Sequence, residues 1–135
     1  ASCLGGISFI KGLGIVHAIA HMVGAEYDTH HGLTNAIILP AVLRFNLPGM
    51  DEKVKRMNEA MQFEGDSAES FISNIEKLLD RINIPKGLGE IGVPEDCAER
   101  IAKKSMVDTA FGTNPRNASY DEMFELVKTS INQAR

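Results

Sequence analysis

The stretch LGIVHAIAHMVGAEYDTHHG, residues 13–32, contains all four histidines of this 135-residue chain. Its apolar residues recur with the spacing of an α-helix rather than with the alternation of a strand. His17 and His21 stand four residues apart, so a helix places both imidazoles on one face, where they can meet one divalent ion. This concentration of imidazoles makes the segment the first candidate for a functional site.

A third imidazole is expected to join this pair after a short turn. Gly24 is predicted to end the helix in a left-handed C-cap, and the residues after it suffice to bring His30 or His31 back to the pair. Glu26 and Asp28 are candidate oxygen ligands in the same segment. Two interpretations stay open at this point: a metal or active site, and a pair of packed or partly exposed histidines that binds nothing.

The rest of the chain also has helical periodicity, and no stretch combines β-branched alternation with a hairpin turn. The sequence therefore predicts an all-α, bundle-like single domain over residues 1–135. Helix starts are indicated at Asp66 with Glu69 as its partner, at Pro94, and at Ser119 with Glu122 as its partner.

Glycine and proline mark the unusual first third of the chain. Five glycines interrupt its apolar helical pattern, although each glycine inside a helix costs about 1 kcal/mol relative to alanine, so a close backbone approach is expected there: Gly5, Gly6, Gly12, Gly14 and Gly24. The segment 34–46 is apolar nearly all round with Pro40 at its middle, which predicts a kinked, buried helix.

The composition excludes several classes of protein. Apolar residues make up 44% of the chain, but no uninterrupted apolar segment reaches the length of a membrane span. The net charge is -4 with the signs interspersed, which gives no nucleic-acid footprint. Cys3 and Cys97 are expected to be free, buried thiols of a reducing compartment, so a cytoplasmic location is predicted. The start ASCLGGISFI lacks the features of a secretory leader and suggests a piece of a longer protein.

Residues 11–46, KGLGIVHAIAHMVGAEYDTHHGLTNAIILPAVLRFN, resemble the signature of the iron-dependent (group III) alcohol dehydrogenases. That signature is a glycine-rich helix, H-x-x-x-H, a later H-G, and a run ending in L-P-x-V-x-x-x-N. The segment IPKGLGEIGVPED at 84–96 is also similar to the family, as is Asp108 followed by Thr-Asn-Pro-Arg at 113–116. The resemblance implies the helical C-terminal domain of the dehydroquinate synthase-like, iron-type alcohol dehydrogenase fold, without the N-terminal Rossmann-like cofactor domain.

The resemblance also implies roles for individual residues. His17 and His31 match two metal ligands of the family, whose remaining aspartate and histidine ligands would precede this chain. His21 matches the histidine beside the nicotinamide, which is implicated in substrate or proton handling, and so has a catalytic and cofactor-binding role. Phe9 and Ala110 lie in segments that flank the substrate cleft, while His30 has no role that carries over.

The parent enzyme implied by the resemblance transfers a hydride between a small alcohol or aldehyde and NAD or NADP. Its metal is expected to be Fe(2+), or Zn(2+) or another divalent ion, and the parent is expected to form a homo-oligomer. The isolated chain is expected to be inactive. The alternative is a stand-alone helical metal-binding or interaction domain without catalytic activity; the absence of the glutamate of H-E-x-x-H argues against a hydrolytic zinc site.

Overall fold

A computed structural model describes residues 2–133 and 135 of the chain. These residues form helices and turns with no strand, so the predicted all-α class is confirmed. The α-helices are α1 (Ser2–Ser8), α2 (Ile15–Tyr27), α3 (His31–Asn46), α4 (Asp51–Met61), α5 (Ala68–Arg81), α6 (Ala98–Ser105) and α7 (Tyr120–Asn132). Short 3-10 turns cover Phe9–Lys11, Leu88–Ile91, Glu95–Cys97 and Phe111–Thr113.

Helix α2 lies at the centre of the main core. It packs against α3 and α6, and α7 packs across α6 and α3. Full burial of a large apolar side chain contributes about 1.5–3 kcal/mol relative to exposure, so packing rather than local propensity fixes this glycine-interrupted helix. The residues of α2 that are completely buried are Ile15, Ala18, Ile19, Ala20 and Val23.

A second, smaller core lies where α4 and α5 pack on each other and α5 packs on α3. Helix α3 therefore touches both cores, and Pro40 is buried within it without interrupting the helix. The buried members of this second cluster are Leu47, Val54, Phe71, Ile72, Ile75 and Leu79.

The close approach expected from the glycines occurs in the turn before α2. Gly12 and Gly14 have φ angles of +84° and +151°. A side chain at Gly12 would collide with Thr113, and one at Gly14 would lie 2.9 Å from Asn114 Oδ1. The two glycines of α1, in contrast, face open space, so the expectation is wrong for that helix.

The predicted end of α2 at Gly24 is wrong. The helix continues through Gly24 to Tyr27, and Asp28 supplies the left-handed cap with φ of +51°. Aspartate tolerates this conformation better than most residues because its short polar side chain can bond locally. Gly24 itself has right-handed helical backbone and only ordinary contacts around a would-be Cβ.

The capping predictions had mixed outcomes. Ser67, not Asp66, caps α5, since its Oγ accepts a hydrogen bond of 3.1 Å from the Ser70 N–H. The start of α7 is confirmed: the Glu122 N–H donates to Ser119 Oγ at 3.2 Å, and the Ser119 N–H donates to a Glu122 carboxylate oxygen at 2.9 Å. This reciprocal pair satisfies two backbone donors at the helix start.

The cysteines are both free, but only Cys97 is buried. The expected burial of Cys3 is wrong because α1 contributes no buried residue to the fold. Within the described residues no single helix is both long and apolar enough to cross a membrane; residues 2–11 and 15–27 reach that length only as a pair bent by 96°.

Candidate functional site

Three of the four histidine rings form one cluster between α2 and α3. His17 and His21 lie one turn apart on α2, and His31 is the first residue of α3. The ring centroids are 5.2 Å apart for His17 and His31, 5.4 Å for His21 and His31, and 5.8 Å for His17 and His21. The predicted proximity of these imidazoles is therefore present, although the chain turns back at residues 28–30 rather than at Gly24.

His30 lies outside the cluster and caps α3 instead. Its Nδ1 accepts a hydrogen bond of 3.3 Å from the Leu33 N–H, and its side chain is exposed. Because the helix begins immediately after it, His31 and not His30 rejoins the α2 pair.

Asn35 lies one turn after His31 on α3 and bridges the imidazoles of His17 and His31. Its Nδ2 lies 3.0 Å from His31 Nε2 and 3.4 Å from His17 Nε2. Its Oδ1 is buried without a hydrogen-bond partner. The Nε2 atoms of His17 and His31 are thus directed at one point. Asn35 was not among the predicted site residues; the sequence signal for it is its four-residue spacing from His31, which puts both on one face of α3.

His21 makes a different contact. Its Nδ1 lies 3.1 Å from Asp108 Oδ2, and the Asp108 side chain is only 12% exposed. The other carboxylate oxygen accepts a hydrogen bond of 2.8 Å from the Ala110 N–H. Since an ionised carboxylate only accepts hydrogen bonds, His21 donates its Nδ1–H and keeps Nε2 unprotonated when neutral.

The contact between His21 and Asp108 assigns positions in the site to Asp108 and to Ala110. The family resemblance included Asp108 but gave it no role. A local signal was present, because an aspartate side chain commonly accepts a hydrogen bond from the backbone N–H two residues later, as Asp108 does from Ala110. Ala110 is 5% exposed, and its backbone N–H contributes to the site by donating to Asp108 Oδ1. Phe9 is 61% exposed, and its ring centroid lies 6.5 Å from that of His17.

The electrostatics of the cluster favour neutral His17. Partial burial lowers the pKa of His17 below the ordinary value, the neighbouring His31 and His21 rings lower it further, and Asp108 opposes them. A neutral imidazole with a free lone pair is the form that binds a metal ion.

The acidic residues between the histidines do not join the cluster. Glu26 accepts from Arg100 at 2.9 Å and from Lys104 at 2.6 Å, and these hydrogen bonds, that from Lys104 first, lower the pKa of its carboxyl group. Asp28 is exposed at the end of α2. The expectation that either acid supplies an oxygen ligand is not supported by this geometry.

Among the described residues, no group of three or more His, Cys, Asp or Glu side chains is arranged to hold a metal ion. In the cluster, His21 contacts Asp108, while the Nε2 atoms of His17 and His31 face Asn35. Two imidazole nitrogens are a donor set that suits iron or zinc, but they fill only part of a coordination sphere.

A cavity of about 410 Å³ opens beside His17 and Asn35. Its walls come from the glycine turn before α2, the apolar side of α3 and the segment at Asn114 and Pro115. The imidazole cluster thus lies at the edge of a concave, mostly apolar surface, the usual form of a small-molecule site.

The fold is that of the C-terminal part of an iron-type alcohol dehydrogenase. Residues 1–131 match the family described as Fe-containing alcohol dehydrogenase family, C-terminal. The chain belongs to this family and corresponds to its C-terminal part.

Relatives and solved structures agree with this assignment. The chain is 38% identical over 138 residues to 1,3-propanediol dehydrogenase of Klebsiella pneumoniae, covering 97% of this chain and 36% of the relative. It is 33% identical over 138 residues to NAD-dependent methanol dehydrogenase of Bacillus methanolicus, again covering 97% and 36%. The crystal structure of a 1,3-propanediol oxidoreductase superposes with a TM-score of 0.82 at 35% identity, over 88% of this chain and 33% of that one. The chain therefore spans about a third of the length of these relatives.

Proposed function

We propose that this chain is the C-terminal, metal-binding domain of a nicotinamide-linked alcohol dehydrogenase that acts on small alcohols or aldehydes. Family membership supports the reaction class. The substrate class is supported by relatives named for 1,3-propanediol and methanol. The observation that carries the proposal is the convergence of the His17 and His31 Nε2 atoms beside a separately held His21.

His17 and His31 are the proposed metal ligands. Their Nε2 atoms face one point, and partial burial lowers the pKa of His17, which favours the neutral form that ligation needs. The proposed metal is Fe(2+), with Zn(2+) or another divalent ion as the alternative, because imidazole suits each of them.

The other half of the site is proposed to come from the part of the protein that precedes this domain. The family resemblance implies an aspartate and a histidine ligand there, together with a Rossmann-like domain that binds NAD or NADP. The chain's span of about a third of its relatives fits this arrangement. The isolated chain is accordingly proposed to be inactive, and the parent to assemble as a homo-oligomer.

His21 is the proposed proton carrier. When bound, the metal would polarise the substrate oxygen and the nicotinamide would exchange hydride with the carbon. The Asp108 carboxylate holds the Nδ1 proton of His21, so Nε2 is the atom left to take a proton from the alcohol or return one to the product. Imidazole exchanges protons readily near neutral pH. Phe9 is proposed to contact the apolar part of a substrate, because its ring is exposed and its centroid lies 6.5 Å from that of His17.

The full-length protein and the isolated chain provide the test. Both are loaded with Fe(II) or Zn(II) and assayed for reduction of NAD and NADP with short primary alcohols and 1,3-propanediol. Activity in the full-length protein with none in the chain is the expected result. Tight calorimetric metal binding by the chain beside an inactive full-length protein would instead establish a stand-alone metal-binding domain.

A further inference from the structure

The Asn35 amide has the right number of donors for the two imidazoles it touches. An amide nitrogen carries two hydrogens, and each neutral imidazole has one unprotonated ring nitrogen. With Nδ2 at 3.0 Å from His31 Nε2 and 3.4 Å from His17 Nε2, one hydrogen serves each ring. Both rings must then carry their own proton on Nδ1 and direct the Nε2 lone pair at Asn35.

The opposite orientation of the amide is less favourable. If Oδ1 faced the rings, both hydrogens of the amide nitrogen would occupy the buried position that now holds a partnerless Oδ1. Two donors would then be unsatisfied in place of one acceptor, and both rings would have to move their proton to Nε2.

We propose that Asn35 is a positioning residue that holds the Nε2 lone pairs of His17 and His31 aimed at the place a metal ion takes. The inference rests on the proposed function for the identity of the ligands, but the tautomers it requires are a property of this chain alone. Each ring has a single Nε2 lone pair, so an ion that takes both lone pairs displaces the amide. Asn35 therefore fixes both rings in the tautomer that can bind a metal ion.

The test measures histidine tautomers in the metal-free chain by long-range ¹H–¹⁵N correlation NMR. The pH is set about two units above the ordinary histidine pKa of about 6.5, so that the rings are neutral. The wild-type chain is expected to show the Nδ1–H tautomer as the main form at both His17 and His31. Asn35→Ala removes the donors, and both rings are expected to shift toward the Nε2–H tautomer that free imidazole side chains prefer in water.

Asn35→Asp reverses the hydrogen bond at nearly constant shape. A carboxylate accepts only, so His17 and His31 are expected to move to the Nε2–H tautomer in this variant. Asn74→Ala is the matched control, because Asn74 donates to backbone carbonyls of Glu64 and Ser70, away from the cluster. It is expected to leave all histidine signals unchanged, and backbone amide spectra verify that every variant is folded.

Two results would overturn the inference: Nε2–H tautomers at His17 and His31 in the wild-type chain, or the same tautomers in the wild-type chain and both Asn35 variants. Neither result depends on bound metal or turnover. An inactive full-length protein whose chain shows the expected tautomers would count against the proposed function alone, so the two failures are distinguishable.

Discussion

Replacement of Gly12 by alanine tests how the turn before α2 is built. This turn carries the chain into the helix that bears His17 and His21, and the first part of α2 is fixed by the Ile15 N–H, which donates to Asn114 Oδ1 at 3.1 Å. Gly12 has φ +84° and ψ +174°, a region that essentially only glycine populates. A Cβ there would also collide with the Cβ, Oγ1 and Cγ2 atoms of Thr113.

The expected magnitude follows from these two effects. The backbone conformation costs a residue other than glycine about 1–3 kcal/mol, and forcing a methyl group into an occupied space costs about 1–3 kcal/mol. The reduced entropy of the unfolded chain offsets about 0.4–1 kcal/mol. Because Thr113 is exposed and can yield in part, we expect the free energy of unfolding to fall by about 2–3 kcal/mol.

Urea unfolding followed by far-ultraviolet circular dichroism measures this change. With a denaturant slope of about 2 kcal/mol per molar, the midpoint should fall by about 1–1.5 M. Gly5→Ala is the matched control, since its Cβ meets no atom within 4 Å and α1 buries nothing. It should not lower the free energy of unfolding, and the better helix propensity of alanine should raise it by at most about 1 kcal/mol. Equal midpoints for Gly12→Ala and Gly5→Ala would refute the account of this turn.

Two further variants test the site and the helix start. Asp108→Ala in the full-length protein leaves His21 without its acceptor. It should lower kcat for the proposed alcohol oxidation by about a hundredfold, the lower end of the usual contribution of a proton-transfer group, with less effect on KM. An unchanged kcat would contradict the role of the pair. Ser119→Ala removes the cap of α7 and should reduce the unfolding free energy by about 1 kcal/mol. The same substitution at Ser73, inside α5, should change it by less than about 0.5 kcal/mol, and equal losses at both positions would argue against the cap.

Local signals in the sequence predicted the features that depend on nearby residues. The all-α class follows from helical periodicity, and the start of α7 follows from a serine and glutamate three residues apart, because both partners lie within one turn. The proximity of His17, His21 and His31 also needs only two helices and a short turn. Even here the exact end of α2 was missed, since Asp28 rather than a glycine adopts the left-handed conformation.

Contacts between residues in different helices or far apart in the sequence could not be predicted from local signals. Asp108 contacts His21 although 87 positions separate them in the sequence. The packing of α2 against α6 and against the turn Phe111–Thr113 brings the two residues together. Asn35 bridges rings on two different helices, so its role depends on how α2 and α3 pack. The exposure of Cys3 was not predicted because an apolar pattern does not reveal whether a helix is buried, and α1 contributes no buried residue to the part of the chain that the structure describes.

The central claim, that His17 and His31 bind the metal, is tested most directly by the metal content of purified full-length variants. His17→Ala and His31→Ala are expected to lose bound iron or zinc together with alcohol dehydrogenase activity. His30→Ala is the matched control, because this neighbouring histidine is exposed and only caps α3, and it should retain its metal. Full metal content and activity in His17→Ala and His31→Ala would contradict the assignment of these two ligands.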